Sequence, residues 1–409
     1  MVSMLFKAIF GLNNFKKNKK IKSLFNNEVS FPLFKNQDKE MNYQDIRYKQ
    51  EDANGFFATL NKRVNEHFKE RNLTKKATTY GKLKAFFFLS VYIGLVAAIY
   101  TANGNVATLL IAFAILGFWQ ICCALILGHE GVHESFSNSK KVNRIMSYAF
   151  DLIGSSGYLW GLRHIHSHHP YPMVPGQDVD IHQTGMLTFV PMEEPKKMFK
   201  YQHIYSPFLY LFYTVQVVLR RDFVDFFSSQ IGHKIVKHKR SKFIELFIAK
   251  TIYITYALVL PLILSGVYWG WVLLGFLIMH MMESITAAIA LFPAHIHEHS
   301  VFPLPDENGM MQDTWAEHQL RVTTDFGTRW RIVGFFFGGI NYHAVHHLFP
   351  GVCHVHFNDI QKILIKTCDE FNIQHNVEPY LYKAMISHVK LLKKNGLSTN
   401  NIHHLAEIV

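Results

Sequence analysis

A chain of 409 residues with 25 histidines, only 4 cysteines and a formal charge of +12 must carry out any extensive metal chemistry through imidazole and not thiolate. Charged residues make up 18% and aromatic residues 14%, a balance that leans away from a soluble globular protein and toward a membrane protein. Cys122 and Cys123 are adjacent in an apolar run, with Cys353 and Cys368 far away; this argues against a disulfide framework and for a reducing compartment around the soluble parts.

The N-terminal stretch "MVSMLFKAIFGLNNFKKNKKIK" has too short an apolar core for a signal peptide and lacks a small-residue cleavage site. Residues 1–53 are expected to form a poorly ordered basic extension whose lysines suit an anionic membrane surface, with Met41 as an alternative start. Four apolar stretches then reach the roughly 20 residues that a bilayer core requires, over Leu83–Tyr100, Val106–Gly128, Thr251–Val267 and Trp269–Leu291. The first two are joined by "TANGN" and the last two around "GVYWG", neither containing Lys or Arg, so they read as two helical hairpins. The basic N-terminal, middle and C-terminal regions then share the cytoplasmic side. "YSPFLYLFYTVQVVL" (Tyr205 to Leu219) is short for a span and ends in Arg220 and Arg221, so it is expected to lie at the membrane interface, as is Ile145 to Trp160.

Histidines cluster beside these stretches. "GHEGVHE" puts His129 and His133 one helical turn apart at the end of the second span, and "RHIHSHHPYP" supplies His164, His168 and His169. "FPAHIHEHS" follows the fourth span with His295 and, one turn on, His299, while "NYHAVHHLFP" adds His343, His346 and His347. The eight histidines of the three boxes and His295 make nine candidate ligands, which exceed the demand of one zinc ion and match two metal ions with four or five imidazoles each. His166 and His297 fall out of phase with their neighbours, and His318, His354 and His356 are left open. Glu130 and Glu134 are expected to orient ligand imidazoles through their second nitrogen, with His166, Glu298, His299 and Asn341 as further groups around the ligands.

Two other functional readings compete. "HEGVH" satisfies the zinc-protease pattern H-E-x-x-H, but that function leaves the remaining histidine clusters idle. A histidine-rich metal transporter would hold its sites along the spans, whereas these clusters sit beyond the span ends. Within the fourth span, His280 and Glu283 are three apart and are expected to bond to Gln120 and tie the spans together.

The order HxxxH, HxxxHH, HxxHH, together with "HEGVHESFSNSKKVN", "YLWGLRHIHSHH", "AHIHEHSVFP", "WAEHQLRVTTDFG" and "GGINYHAVHHLFPGVCHVHF", resembles the membrane fatty acid desaturase family, in particular bacterial acyl desaturases of the linoleoyl-CoA desaturase type. The resemblance covers about Asn54 to His388. It implies a desaturase domain over 54–388 and a tail over 389–409. It also implies an all-α integral membrane fold: four transmembrane helices in two hairpins, with a cytosolic helical cap holding a histidine-ligated diiron site beside an acyl tunnel. The ligands it implies are His129, His133, His164, His168, His169, His295, His343, His346 and His347, with no catalytic residue beyond them. Implied further are O2 as cosubstrate, an acyl-CoA or acyl-lipid substrate, a setting in membrane lipid, no nucleic acid, and a bacterial cytoplasmic membrane with the site facing the cytoplasm. The sequence contains no HPGG stretch, no CxxC and no G-x-G-x-x-G, so electrons are expected from a separate ferredoxin or haem electron carrier with its reductase. A hydroxylase on the same scaffold is the alternative outcome. The chain departs from front-end members of the family, which often carry Gln in place of His343 and Glu in place of Val345, and its proline-rich "PYPMVPGQDVD" replaces the family's usual polar residues after the second cluster.

Overall fold

The computed structural model describes residues 46–397, apart from 53, 182–183, 193–194 and 233. Most of the expected basic extension and the end of the expected tail lie outside the described residues. Where residues 46–52 are described, they are built into the fold: Arg47–Lys49 pairs as a parallel strand with Met310–Thr314, and Tyr48 stacks on Tyr171. The C-terminal helix Leu381–Leu397 runs through position 389 without interruption.

The fold is mostly helical, and among the described residues every sheet is a two-stranded pair. Among the described residues four helices are long and apolar enough to cross a membrane: Thr79–Tyr100, Val106–Val132, Arg240–Leu264 and Trp269–Ala294. Thr78 and Asn105 cap the first two, their side-chain oxygens accepting from the backbone N–H groups of Gly81 and Thr108. The turns "TANGN" and "SGVYW" touch, since the Gly104 N–H donates to the Ser265 carbonyl (2.9 Å). Asn103, Gly104 and Gly266 adopt positive φ there and so end the helices.

The third span differs from its expected bounds at both ends. Lys250 marks the start expected from sequence, yet the helix begins at Arg240, because the Lys250 ammonium turns inward to Asp222 (2.7 Å) and is neutralised there. At its far end the helix stops at Leu264, where the Ser265–Gly266 turn begins.

The second and fourth spans form the inner pair and cross closely because two glycines permit it. A Cβ on Gly117 would lie 2.2 Å from the Met279 carbonyl oxygen, and one on Gly275 would lie 2.3 Å from the Phe113 ring. Leu109, Phe113, Leu116, Val272 and Met279 fill the seam and are fully or almost fully buried. Trp119 locks the first span to the second by donating its indole N–H to the Phe88 carbonyl (2.7 Å) and stacking on the Phe88 ring.

Tyr205 to Leu219 is not among the four span candidates. The chain there is broken into Gln202–Tyr210, which contains Pro207, then Tyr213–Gln216, a π-turn Val217–Arg221, and Asp222–Phe227. Ile145 to Trp160 is likewise divided among short helices ending in Gly157–Arg163. Beyond the spans, Phe56–Glu70 lays Phe56, Leu60, Val64 and Phe68 against Ile360, Leu364 and Cys368 of Phe357–Phe371, closing a second core over the histidine-bearing turn His343–Leu348.

The glycine seam is testable. Gly117→Val must push the second and fourth spans apart or distort them, and overpacking of this kind costs about 1–3 kcal/mol or more. The purified variant should melt several degrees below the wild-type protein in detergent, whereas Gly94→Val, which meets no neighbour, should melt unchanged.

Candidate metal centre

The second span is regular through Cys123, takes a π-turn over Ala124–Gly128, and ends in His129–Val132. A π-turn shifts the helical phase by one residue and recurs at functional sites. His133 still bonds through its backbone N–H to the His129 carbonyl (3.0 Å), and the two rings stand 4.7 Å apart. A second π-turn covers His164–His168 itself. His295 follows the end of the fourth span, and His343, His346 and His347 lie on the short helix His343–Leu348, whose Ala344 N–H is received by the Asp325 carboxylate (2.9 Å).

These turns bring all nine candidate histidines into two adjoining groups, within each of which the potential ligand atoms lie within 4.8 Å of one another. One is His129, His133, His164 and His346; the other is His168, His295, His343 and His347. His169 stands between them, grouping with His346 and His347 while its Nε2 lies 3.0 Å from that of His164. Neighbours in sequence therefore serve different groups, His164 and His346 belonging to the first, His168 and His347 to the second.

The donor set fits bound metal. In the second group the Nε2 atoms of His295, His343 and His347 are 2.7, 3.1 and 3.2 Å apart. Two nitrogens bound at right angles to one ion, with bonds of about 2.0–2.1 Å, would be about 2.9 Å apart. In the first group, His129 Nε2, His133 Nε2 and both ring nitrogens of His346 are buried with no hydrogen-bond partner. Buried polar atoms are rarely left in this way unless something else satisfies them.

Electrostatics favours the same use, since ligation requires neutral imidazole. Burial pushes His133 and His295 down to about 3 and holds His164, His169, His343, His346 and His347 well below the ordinary histidine range. His168 is the exception: burial lowers it, but the Asp178 carboxylate 3.0 Å from its Nδ1 outweighs burial and raises it. Asp178 is held in place by the backbone N–H groups of Met173 and Asp180, both 2.9 Å away.

The groups that orient the ligands are not the ones expected from sequence. In the second group every Nδ1 has a protein partner: Asp178 for His168, the Val322 carbonyl for His295, the Ile340 carbonyl for His343 and the Gln319 amide oxygen for His347. Glu130 instead turns away and binds the backbone N–H and ring Nδ1 of His354 (both 2.9 Å) and the Ser135 hydroxyl (2.8 Å), because His354 reaches it first. Glu134 lies at a positive φ and offers its carbonyl to Lys76. Glu298 pairs with Lys390, His299 is exposed, and His166 lies outside both groups. The Asn341 amide oxygen is buried without a hydrogen-bond partner. His297 bonds with Thr324, His318 with the Pro172 carbonyl and His356 with the Lys76 carbonyl, so none of the three joins a ligand group. Asp178 and Gln319 were missed, although "QDVD" and "WAEHQL" carried the only signal available, a polar pair beside a histidine run.

The intramembrane pair also differs from expectation. Gln120 bonds to Tyr256 and the Leu152 carbonyl, while His280 bonds to Tyr253 and Thr214, its Nδ1 also standing 2.8 Å from a Glu283 carboxylate oxygen. The tie thus runs between the third and fourth spans and to the Tyr213–Gln216 turn.

A cavity of about 80 Å³ opens against both groups. Its apolar wall includes Trp160, Tyr213, Val217, Leu291, Phe292 and Ile340.

Fold and site together define a multi-span membrane protein with paired histidine groups suited to metal. Comparison with known proteins makes this specific: residues 103–379 match the family model described as fatty acid desaturase, and the chain belongs to that family. It is 30% identical over 350 residues to the sn-1 linoleoyl-lipid 6-desaturase of Synechocystis sp., covering 84% of this chain and 96% of that protein. It is also 30% identical over 357 residues to the acyl-lipid (8-3)-desaturase of Physcomitrium patens, covering 86% and 74% of the two chains. The sn-1 linoleoyl-lipid 6-desaturase of Arthrospira platensis is 29% identical, with 84% and 93% covered. The protein is a membrane fatty acyl desaturase.

Losing a group that orients a metal ligand typically costs about 10 to 100-fold in metal affinity. Asp178→Asn and Gln319→Leu should each weaken metal retention by that order in a chelator competition, while Glu134→Gln should match wild type.

Proposed function

We propose that the nine histidines hold two iron ions and that the enzyme inserts a cis double bond into an acyl chain carried by a membrane lipid. The observation that carries this is the pair of buried imidazole groups beside an apolar cavity. When bound, the iron supplies with O2 the oxidant needed to take hydrogen from an unactivated methylene, which no side chain can do. Overall, two hydrogens of the substrate, O2, two electrons and two protons give the alkene and two waters. The electrons come from a separate ferredoxin or haem electron carrier with its reductase, an acidic partner that the net charge of +12 would attract. Acyl-lipid is preferred over acyl-CoA because the relatives' names specify it.

The protein's own contribution is positional. Asp178, Gln319 and the Val322 and Ile340 carbonyls fix the ring tautomers, so that Nε2 faces inward. Trp160, Leu291, Phe292 and Ile340 exclude water and hold one carbon pair of the chain against the imidazoles. The site faces the cytoplasm of a bacterial membrane, with 54–388 as the catalytic domain and with the interfacial segments lying on that surface.

Expression in a host of known lipid profile, followed by mass spectrometry, tests the reaction: loss of two mass units marks desaturation, and gain of sixteen would mark hydroxylation and overturn it. Metal analysis should return about two iron atoms per chain. His346→Ala and His347→Ala, at matched membrane levels, should give no detectable unsaturated product, whereas Glu130→Gln should give a reduced but measurable amount. Full activity in either histidine variant would remove the ligand assignment. Tags after Ser139, within Lys237 to Lys242 and at the C-terminus should all report cytoplasmic.

A further inference from the structure

The cavity beside the histidines is too small for its task. Ligand pockets usually measure about 300–1,000 Å³, whereas this cavity measures about 80 Å³. A wall must therefore move before an acyl chain can lie there.

One wall is unlike the others. Tyr213, Val217 and Arg221 line the cavity at four-residue intervals, while Leu219 in the same segment and Phe208 and Phe212 just before it are exposed at 50%, 62% and 39%. This stretch of chain has both cavity-lining residues and exposed apolar ones. It is also segmented: the helix breaks at Leu211 and Phe212 and is over-wide across the π-turn Val217–Arg221. The other cavity walls come from the ends of the second and fourth spans, the Gly157–Arg163 helix, the stretch from Met173 to Ile181 that carries Asp178, and the histidine-bearing turns.

Between its two ends this wall is tied to the fourth span by Thr214, with Val218 buried in the core and the Tyr213 ring packed on Phe292. Thr214 inserts between His280 and Ser284 of the fourth span: its backbone N–H donates to Ser284 Oγ (3.0 Å), and its hydroxyl lies 2.9 Å from Ser284 Oγ and 3.0 Å from His280 Nδ1. His280 is in turn braced by the Tyr253 hydroxyl (2.8 Å). Downstream, Arg221 and Arg163 both grip Asp225, and Lys250 grips Asp222, so the segment's far end is fixed by buried ion pairs while its middle is tied by Thr214.

We propose that the Tyr213–Arg221 segment is the door through which an acyl chain of a bilayer lipid passes sideways into the histidine cavity, and that Thr214 is the positioning residue that seats it against the fourth span. This rests on the lipid-desaturase reading above. It gives the polar residues His280 and Ser284 at membrane depth a task, that of receiving a clasp which opens and closes.

The clasp supplies its own test. Because the two hydroxyl oxygens are 2.9 Å apart, cysteines at both positions of the double variant Thr214→Cys/Ser284→Cys stand within reach of a disulfide. The full chain in phospholipid membranes is oxidised with a dipyridyl disulfide, the cross-link is confirmed by mass, and its iron content is checked against the reduced form. Two readouts follow: lipid desaturation, and labelling of the protein by phosphatidylcholine carrying a diazirine in mid-chain. Oxidation is expected to lower desaturation at least tenfold at unchanged iron content and to abolish labelling of Tyr213 and Val217, with both restored by reductant. A cross-linked, iron-loaded protein that keeps the activity and labelling of its reduced form overturns the door. If wild type makes no unsaturated lipid, the desaturase reading falls, yet labelling still decides the door. Should the double variant fold poorly, Thr214→Val, which removes the hydroxyl bonds at similar size, is expected to raise labelling of the inner wall severalfold, and Thr214→Ser to restore the wild-type level. Equal labelling in all three would refute the clasp.

Discussion

The cost of burying imidazole nitrogens without partners is the constraint around which this protein is built. An unsatisfied buried polar group costs on the order of 1–3 kcal/mol, and the first histidine group alone leaves His129 Nε2, His133 Nε2 and two nitrogens of His346 in that condition. Removing such rings would relieve the fold, so their presence marks a site kept for chemistry. The glycine-mediated seam between the second and fourth spans, the two π-turns and the short helix His343–Leu348 all converge on one outcome, the alignment of those nitrogens.

Much of this was legible in sequence, for identifiable reasons. The four spans follow from apolar length alone, and the nine candidate ligands from histidines recurring at helical spacing beside span ends. What sequence spacing cannot supply is how ligands are shared. An HxxxH read on an ideal helix puts both rings on one face, but the π-turn over His164–His168 sends its first histidine to one group and its last to the other. The outer partners were illegible for a different reason: Asp178 and Gln319 meet their histidines across turns and between segments, and two further partners are backbone carbonyls, which any residue type provides.

Charge at the membrane boundary teaches a related lesson. Lys250, Arg220 and Arg221 were legible as marks of where apolar segments stop, and as signals of sidedness. Yet Lys250, Arg163 and Arg221 also face inward and share Asp222 and Asp225, joining the third span, the Gly157–Arg163 helix and the Asp222–Phe227 helix. Burying such ions is costly unless each is paired, and breaking one pair strands the other charge. The same residues therefore report topology to a reader of the sequence and clamp three segments together in the fold.

The two histidine groups are not equivalent, and the difference follows from what holds each ring. In the second group all four Nδ1 atoms are engaged by the protein, so orientation is set by hydrogen bonds before any ligand arrives. His346 in the first group has neither nitrogen engaged and is positioned by ring packing alone, against His129 at 4.4 Å, His169 at 4.7 Å and His133 at 4.9 Å. Hydrogen bonds fix a ring's rotation sharply, whereas edge contacts between rings tolerate tilts of tens of degrees. His346 is accordingly held less sharply than the four rings of the second group, whose rotation is set by bonds to Asp178, Gln319 and two backbone carbonyls.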